Sequence, residues 1–197
     1  MNIKNAVNFI FELNQLKRLK HNGFKLCGVK DPDSIAEHVM RAAQIGYILA
    51  AMEGIKNPEK VAAMVLIHDN GEIRIGDHHK VSARYFNTKA AEHQAFRDQL
   101  EQLGNGVAEK WKKYFNEFEN RNTNEGIIAK DADWLEQAFQ AKEYADLGYK
   151  SAEDWINNVE KALETKSAKL LLAQMKKVKF TDWWQGLKRM TYKKIKN

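Results

Sequence analysis

A chain of 197 residues with 44% hydrophobic side chains and only two prolines can bury one domain core and offers few obstacles to long helices. Its single cysteine, Cys27, excludes an intrachain disulfide, and no apolar run approaches the ~18 residues that a membrane-spanning helix needs. The formal charge of +6 is concentrated at one end: residues 176–197 carry +7 and the remainder sums to −1, which favours a solvated basic tail over a nucleic-acid-binding body.

The composition predicts an all-α fold in one domain over 1–197, with a basic helical tail at about 176–197. The opening residues, MNIKNAVNFIFELNQ, hold no signal-peptide hydrophobic region, so the expected location is cytoplasmic, with no membrane partner.

Residues 3–20 repeat apolar side chains at helical spacing, and the cations Lys17, Arg18, Lys20 and His21 collect at the end before Gly23. Ser34 and Glu37 then stand at capping-box spacing, followed by the stripe Ile35, Val39, Ala42, Ala43, Gly46 and Leu49. His38 lies one turn inside this helix, beside the stripe. Asn57-Pro58-Glu59 opens the next helix, with a capping residue and proline at the first position. Its apolar residues occupy nearly every face, which predicts a central helix packed on all sides and ending in His68-Asp69.

Residues 76–80 read as a loop. Thr88 starts a helix that runs through Phe96, Leu100 and Leu103 to Gly104, and Val107 to Phe118 forms another with Trp111, Tyr114 and Phe115 at helical spacing. After a polar break at 120–125, a long helix over 126–149 aligns Ile128, Ala132, Leu135 and Phe139 and embeds Asp131 and Asp133 among them. Ser151 and Asp154 are expected to cap a further helix running from Trp155 through Leu163 to Met175. Thr181-Asp182 begins a last short one.

Acidic and imidazole side chains at the ends or faces of buried helices need partners. His38, His68, Asp69 and one of Asp131 or Asp133 would together supply two imidazoles and two carboxylates. That donor set suits one divalent Mn, Co, Fe, Ni or Zn ion, leaves positions open for water and substrate, and lacks the thiolates of a structural zinc site. Periodicity puts Asp131 nearer the apolar side and does not select between the aspartates. Glu72, three residues beyond Asp69, is the candidate general acid or base. His78, His79 and His93 leave a two-metal site open.

The ordered segments Leu16-Lys17, Ala36-Glu37-His38, His68-Asp69-Asn70-Gly71-Glu72, Gly76-Asp77, Tyr85-Phe86-Asn87 and Lys130-Asp131-Ala132-Asp133 resemble the HD-domain metal-dependent phosphohydrolases, and within them the 5'-deoxynucleotidase branch. The resemblance covers roughly residues 10 to 145. It implies an HD-domain helical bundle around a buried metal-binding helix, a homodimer, and hydrolysis of deoxyribonucleoside 5'-monophosphates. It also implies that His38, His68, Asp69 and Asp133 are the metal ligands, that Glu72 is catalytic, and that Asp77 meets the sugar side of the nucleotide. Relatives usually carry an arginine closely followed by tryptophan after the first helix, where this chain reads His21-Asn22-Gly23-Phe24. Phosphate is therefore assigned to Arg18, Lys17 or His21, with Arg84 as a further contact, and Phe24 to the aromatic wall. The rival readings are another HD hydrolase, acting on nucleoside triphosphates, guanosine tetraphosphate or cyclic dinucleotides, and a nucleic-acid-binding or scaffold protein using the basic tail.

Overall fold

The computed structural model describes residues 2–187; residues 188–197, which hold much of the basic tail, lie outside the described residues. Among the described residues there is no β-strand, only an isolated antiparallel bridge between Lys20 and Ser34, and the fold is all-α as the composition predicts. Among the described residues no helix is long and apolar enough to cross a membrane.

Helix α1 (Ile3–Leu13) starts at Asn2, whose side-chain oxygen accepts the backbone N–H groups of Lys4 and Asn5. It tightens into a 3-10 turn over Asn14–Lys17 and stops short of the expected residue 20. The next backbone groups pair elsewhere: Ile35 N donates to Leu19 O at 2.9 Å, and His21 N donates to Asp33 O at 2.9 Å. A second 3-10 turn, Asn22–Cys27, follows and buries Phe24. The bridge ties the end of this entry segment to the start of α2 (Ile35–Met52), where both halves of the Ser34–Glu37 capping box form. The predicted stripe of α2 is buried, and His38 is buried with it.

Helix α3 (Pro58–Ile67) has proline in its first turn, but Asn57 provides no side-chain cap. It packs on α2, on α6 (Asn105–Asn120) and on α7 (Asn124–Asp146). Its outer side has no such cover: Leu66 is 52% exposed, so α3 is not enclosed on every face. The most enclosed helix is α7, which touches α2, α3 and α6 as well as α8 (Glu153–Ala162) and α9 (Lys166–Met175). The main core joins Leu49 of α2 and Met64 and Val65 of α3 to Ile128, Leu135 and Ala138 of α7. A second cluster packs Phe9, Ile67, Phe96, Leu100 and Phe115 beneath α5 (Thr88–Glu101). The short α4 (Glu72–Ile75) leaves the end of α3, and α10 (Asp182–Gln185) begins the tail.

The helix expected to run from Trp155 to Met175 is two helices. Asp131 of α7 accepts hydrogen bonds from the backbone N–H groups of Glu164 and Thr165 and from the Thr165 hydroxyl, at 2.7–3.2 Å. Thr165 in turn caps α9 through Ala168 N. Backbone donors drawn to a buried carboxylate leave the helical ladder, and the chain turns there. At the other end, Ser151 lies in a 3-10 turn, Lys150–Ala152, and no side chain caps α8.

Candidate metal centre

Three elements deliver the central cluster. The capping box sets the register of α2 and so places His38 one turn inside it. His68 is the C-cap of α3, and Asp69 follows in the turn that leads to α4. Asp133 projects from the enclosed helix α7. One ligand atom each from His38, His68 and Asp69 lies within 4.8 Å of the others. Asp133 Oδ1 is 3.3 Å from His38 Nε2 and 3.6 Å from His68 Nε2, and Asp69 Oδ1 is 3.0 Å from His68 Nε2. The four residues singled out in the sequence therefore converge. Asp131 does not join them; its carboxylate is spent on the α8–α9 turn.

Each imidazole is turned by a bond at its other nitrogen. His68 Nδ1 donates to Val65 O at 2.6 Å, and His38 Nδ1 hydrogen-bonds Glu136 of α7. The same Glu136 receives Arg41 Nε at 2.8 Å, and Arg41 is held further by Glu143 at 2.6 Å and Gln140 at 2.7 Å. Both Nε2 atoms thus face the carboxylates of Asp69 and Asp133, the orientation of metal-binding histidines backed by an outer acceptor. His38 Nε2 is fully buried and has no hydrogen-bond partner. A buried orphan nitrogen among carboxylate oxygens fits a cation at that point, and the donor set of two imidazoles and two carboxylates fits a divalent one.

The electrostatics make the same demand. Burial acts against a charged imidazole, yet Glu136, Asp133 and Asp69 push His38 up to about 10, and Asp69 and Asp133 raise His68 well above its ordinary value. Burial also acts against an ionised Asp133, but Lys130 and His68 hold it well below the usual carboxylate range. Protons on the imidazoles thus supply positive charge that the ionised carboxylates require. A divalent cation held by the same atoms replaces those protons.

The cleft over the cluster has a volume of about 270 Å³ and is lined by six carboxylates, from Asp69, Glu72, Asp77, Glu92, Glu119 and Asp133, against the lysines Lys89 and Lys130. Both lysines are already paired, Lys89 with Glu119 at 2.6 Å and Lys130 with Asp133 at 2.8 Å. A cation bound at the cluster would draw an anionic substrate into this acidic cleft.

Glu72, the first residue of α4, has a buried Oε2 with no hydrogen-bond partner. Burial, with Asp69, Asp77 and Glu92 beside it, raises its carboxyl well above the ordinary range. Glu92 of α5, which no motif marks, is pushed up to about 7 by burial and by Asp69. Carboxylate oxygens of Asp69, Glu72 and Glu92 lie within 4.8 Å of one another. Gly71 permits this approach: a Cβ there would come 2.4 Å from Glu92 O. Nothing in the pattern of α5 marks Glu92. Glu136 was more accessible to reading, as an acid one turn beyond Asp133 in the same apolar helix.

The expected substrate contacts separate into two groups. His21 and Asp77 line the cleft, His21 held by Asp33 at 3.2 Å and Asp77 by Asn22 N at 2.5 Å. Lys17, Arg18 and Arg84 are exposed and do not line it. Phe24 borders an adjoining hollow, as do His78 and His79, while His93 pairs with Glu119 at 3.1 Å. None of these three histidines enters the four-residue cluster.

The fold recurs in known proteins. The model of the HD domain matches residues 13–176. The chain is 32% identical over 155 residues to the 5'-deoxynucleotidase HDDC2 of Dictyostelium discoideum, a match covering 72% of this chain and 78% of that one. It is 24% identical over 151 residues to the human 5'-deoxynucleotidase HDDC2, covering 75% and 72%, and 29% identical over 143 residues to the Schizosaccharomyces pombe 5'-deoxynucleotidase hdd1, covering 70% and 71%. Among solved structures, a conserved hypothetical protein of Pyrococcus furiosus superposes with a TM-score of 0.74 at 28% identity, over 87% of this chain and 99% of that one. From the end of α1 to the end of α9, then, the polypeptide that builds this cluster belongs to the HD domain family.

Proposed function

We propose that this protein is a metal-dependent phosphohydrolase that removes the 5'-phosphate from deoxyribonucleoside 5'-monophosphates, with one divalent ion held by His38, His68, Asp69 and Asp133. The observation that carries this reading is the convergence of two inward-facing imidazole Nε2 atoms and two carboxylates around a buried, unpartnered His38 Nε2, with the unpartnered Glu72 carboxyl alongside. The similarity to the 5'-deoxynucleotidases HDDC2 and hdd1 supports the substrate class.

A bound divalent ion polarises a phosphoryl oxygen and lowers the pKa of coordinated water. The protein supplies the rest. Glu72 Oε2, ionised where a bound cation offsets its acidic neighbours, takes the proton of the attacking water and delivers it to the departing O5' of the sugar as the P–O bond breaks. Lys130, paired with the outer oxygen of Asp133 and bordering the cleft, faces the incoming phosphate together with His21. Asp77, anchored by Asn22, stands at the sugar edge.

The Mn, Co, Fe, Ni or Zn identity of the ion follows the nitrogen and oxygen donor set. A cytoplasmic enzyme and a homodimer complete the reading. The dimer is supported by the exposed Ile10 and Phe11 of α1 and Met40 and Ile48 of α2, apolar side chains without cover in the single chain.

The test is product analysis with Mn or Co present. Free phosphate and a deoxynucleoside from dAMP or dTMP are expected. Triphosphate from a nucleoside triphosphate, pyrophosphate from guanosine tetraphosphate, or a linear nucleotide from a cyclic dinucleotide, without phosphate from the monophosphates, would move the protein to another class of HD hydrolase.

A further inference from the structure

Next to the cleft over the cluster lies a larger hollow of about 400 Å³, between the turn Asn22–Cys27, α7 and α8. The two spaces share His21, Asp77, Lys130, Asp133 and Gln137 as walls, so a molecule whose phosphate sits at the cluster extends directly into the hollow. Polarity changes along that path. The shared end carries charge and imidazole, whereas beyond it the apolar Trp134, Trp155, Val159 and Ala162 form much of the wall, alongside Asn158 and the loop at 78–80. A ligand matched to this gradient has an anionic head, a polar middle and a flat apolar end.

Trp155 is fixed in place before any ligand arrives. Its ring packs on that of Phe24 at 5.4 Å between centroids and 32° between planes, and Phe24 is itself locked against Tyr144 at 5.0 Å. Gly23 packs against the same indole: a Cβ at that position would stand 3.4 Å from Cζ2 of Trp155, in van der Waals contact. The indole is only half-buried, and it lines the hollow. A rigid, partly open aromatic ring binds another ring at low entropic cost, and stacking of this kind tolerates any base because every base has a π-face.

We propose that this hollow is the nucleobase subsite and that Trp155 is the residue against which the base stacks. The assignment rests on the deoxynucleotidase reading above and deepens it: the Asn22–Cys27 turn and α8 together grip the base, while α2, α3 and α7 hold the phosphate end.

The test compares two substrates that differ only by the base, dAMP and 2-deoxyribose 5-phosphate, on the Mn-loaded protein. In Trp155→Ala, the ratio of kcat/KM for dAMP to that for 2-deoxyribose 5-phosphate is expected to fall about tenfold or more, mainly through KM. Trp155→Phe should restore most of the ratio. Because Trp155 also packs on Phe24, a second variant approaches from the other side: Ala162→Phe fills the far end of the hollow and should lower the same ratio. An unchanged ratio in both Trp155→Ala and Ala162→Phe, or in Ala162→Phe alone if Trp155→Ala does not fold, overturns the subsite while leaving the phosphatase reading intact. Wild-type protein that releases phosphate from neither compound overturns the deoxynucleotidase reading, and the subsite with it.

Discussion

Glu136 hydrogen-bonds Nδ1 of His38 across the interface between α2 and α7, and the Arg41 guanidinium closes on its other carboxylate oxygen. The buried Glu136 thereby keeps the imidazole turned with Nε2 toward Asp69 and Asp133. Outer partners of this kind are worth roughly 10–100-fold in metal affinity. Glu136→Ala is expected to weaken Mn or Co binding by about that factor in a chelator competition titration. Glu136→Gln, whose amide oxygen still accepts from Nδ1, should recover a substantial part of the loss. Equal affinity in wild type and Glu136→Ala would show that α2 packing alone orients His38.

Asp131 and Asp133 separate cleanly by experiment. Asp133→Ala removes a carboxylate from the cluster and should abolish stoichiometric metal binding. Asp131→Ala instead leaves the backbone N–H groups of Glu164 and Thr165 without their acceptor, at a cost of roughly 2 kcal/mol. Its metal content should match the wild type while its thermal midpoint drops by several degrees, on the order of 2–4 °C per kcal/mol for a domain of this size. Metal loss in Asp131→Ala with retention in Asp133→Ala would reverse the assignment.

Glu92 raises the proton affinity of Glu72 by placing a second carboxylate beside it. Removing that charge in Glu92→Gln lowers the Glu72 pKa, because the ionised form of Glu72 then meets less repulsion. If Glu72 takes a proton in the rate-limiting step, the acid limb of the kcat/KM profile against pH moves to lower pH in Glu92→Gln. A limb that stays in place, or moves to higher pH, would assign it to another group.

Much of this architecture was legible in the chain because local rules decide it. The Ser34–Glu37 box fixes where α2 begins, and so His38 falls on the buried side. The apolar run of α3 ends at His68-Asp69 because the Asn70-Gly71 turn follows. The aspartates show where periodicity stops helping: Asp131 and Asp133 are both buried, at 0% and 3% exposure. A cap for a distant helix and a cluster residue impose the same local pattern, and only the position of Glu164 and Thr165 distinguishes them.

Other features depend on tertiary packing. The break between α8 and α9 follows from Asp131, far away in sequence, so the apolar spacing from Trp155 to Met175 reads as one helix. Glu92 reaches Asp69 only because α5 lies against Gly71. Lys17, Arg18 and Arg84 lie near the first helix end or a motif in sequence, yet all three are exposed and none lines the cleft. The cleft takes its lysines from α5 and α7 instead: Lys89, which no motif marks, and Lys130, which opens the segment Lys130-Asp131-Ala132-Asp133.

The most direct measurement is phosphate release from dAMP by protein stripped with EDTA and then titrated with Mn or Co, run beside Asp69→Ala. The stripped enzyme should be inactive. Activity should return as the ion is added to the wild type, producing phosphate and deoxyadenosine, and should not return in Asp69→Ala. Phosphate release that persists in excess EDTA, or that returns equally in Asp69→Ala, would contradict catalysis at the His38, His68, Asp69 and Asp133 cluster.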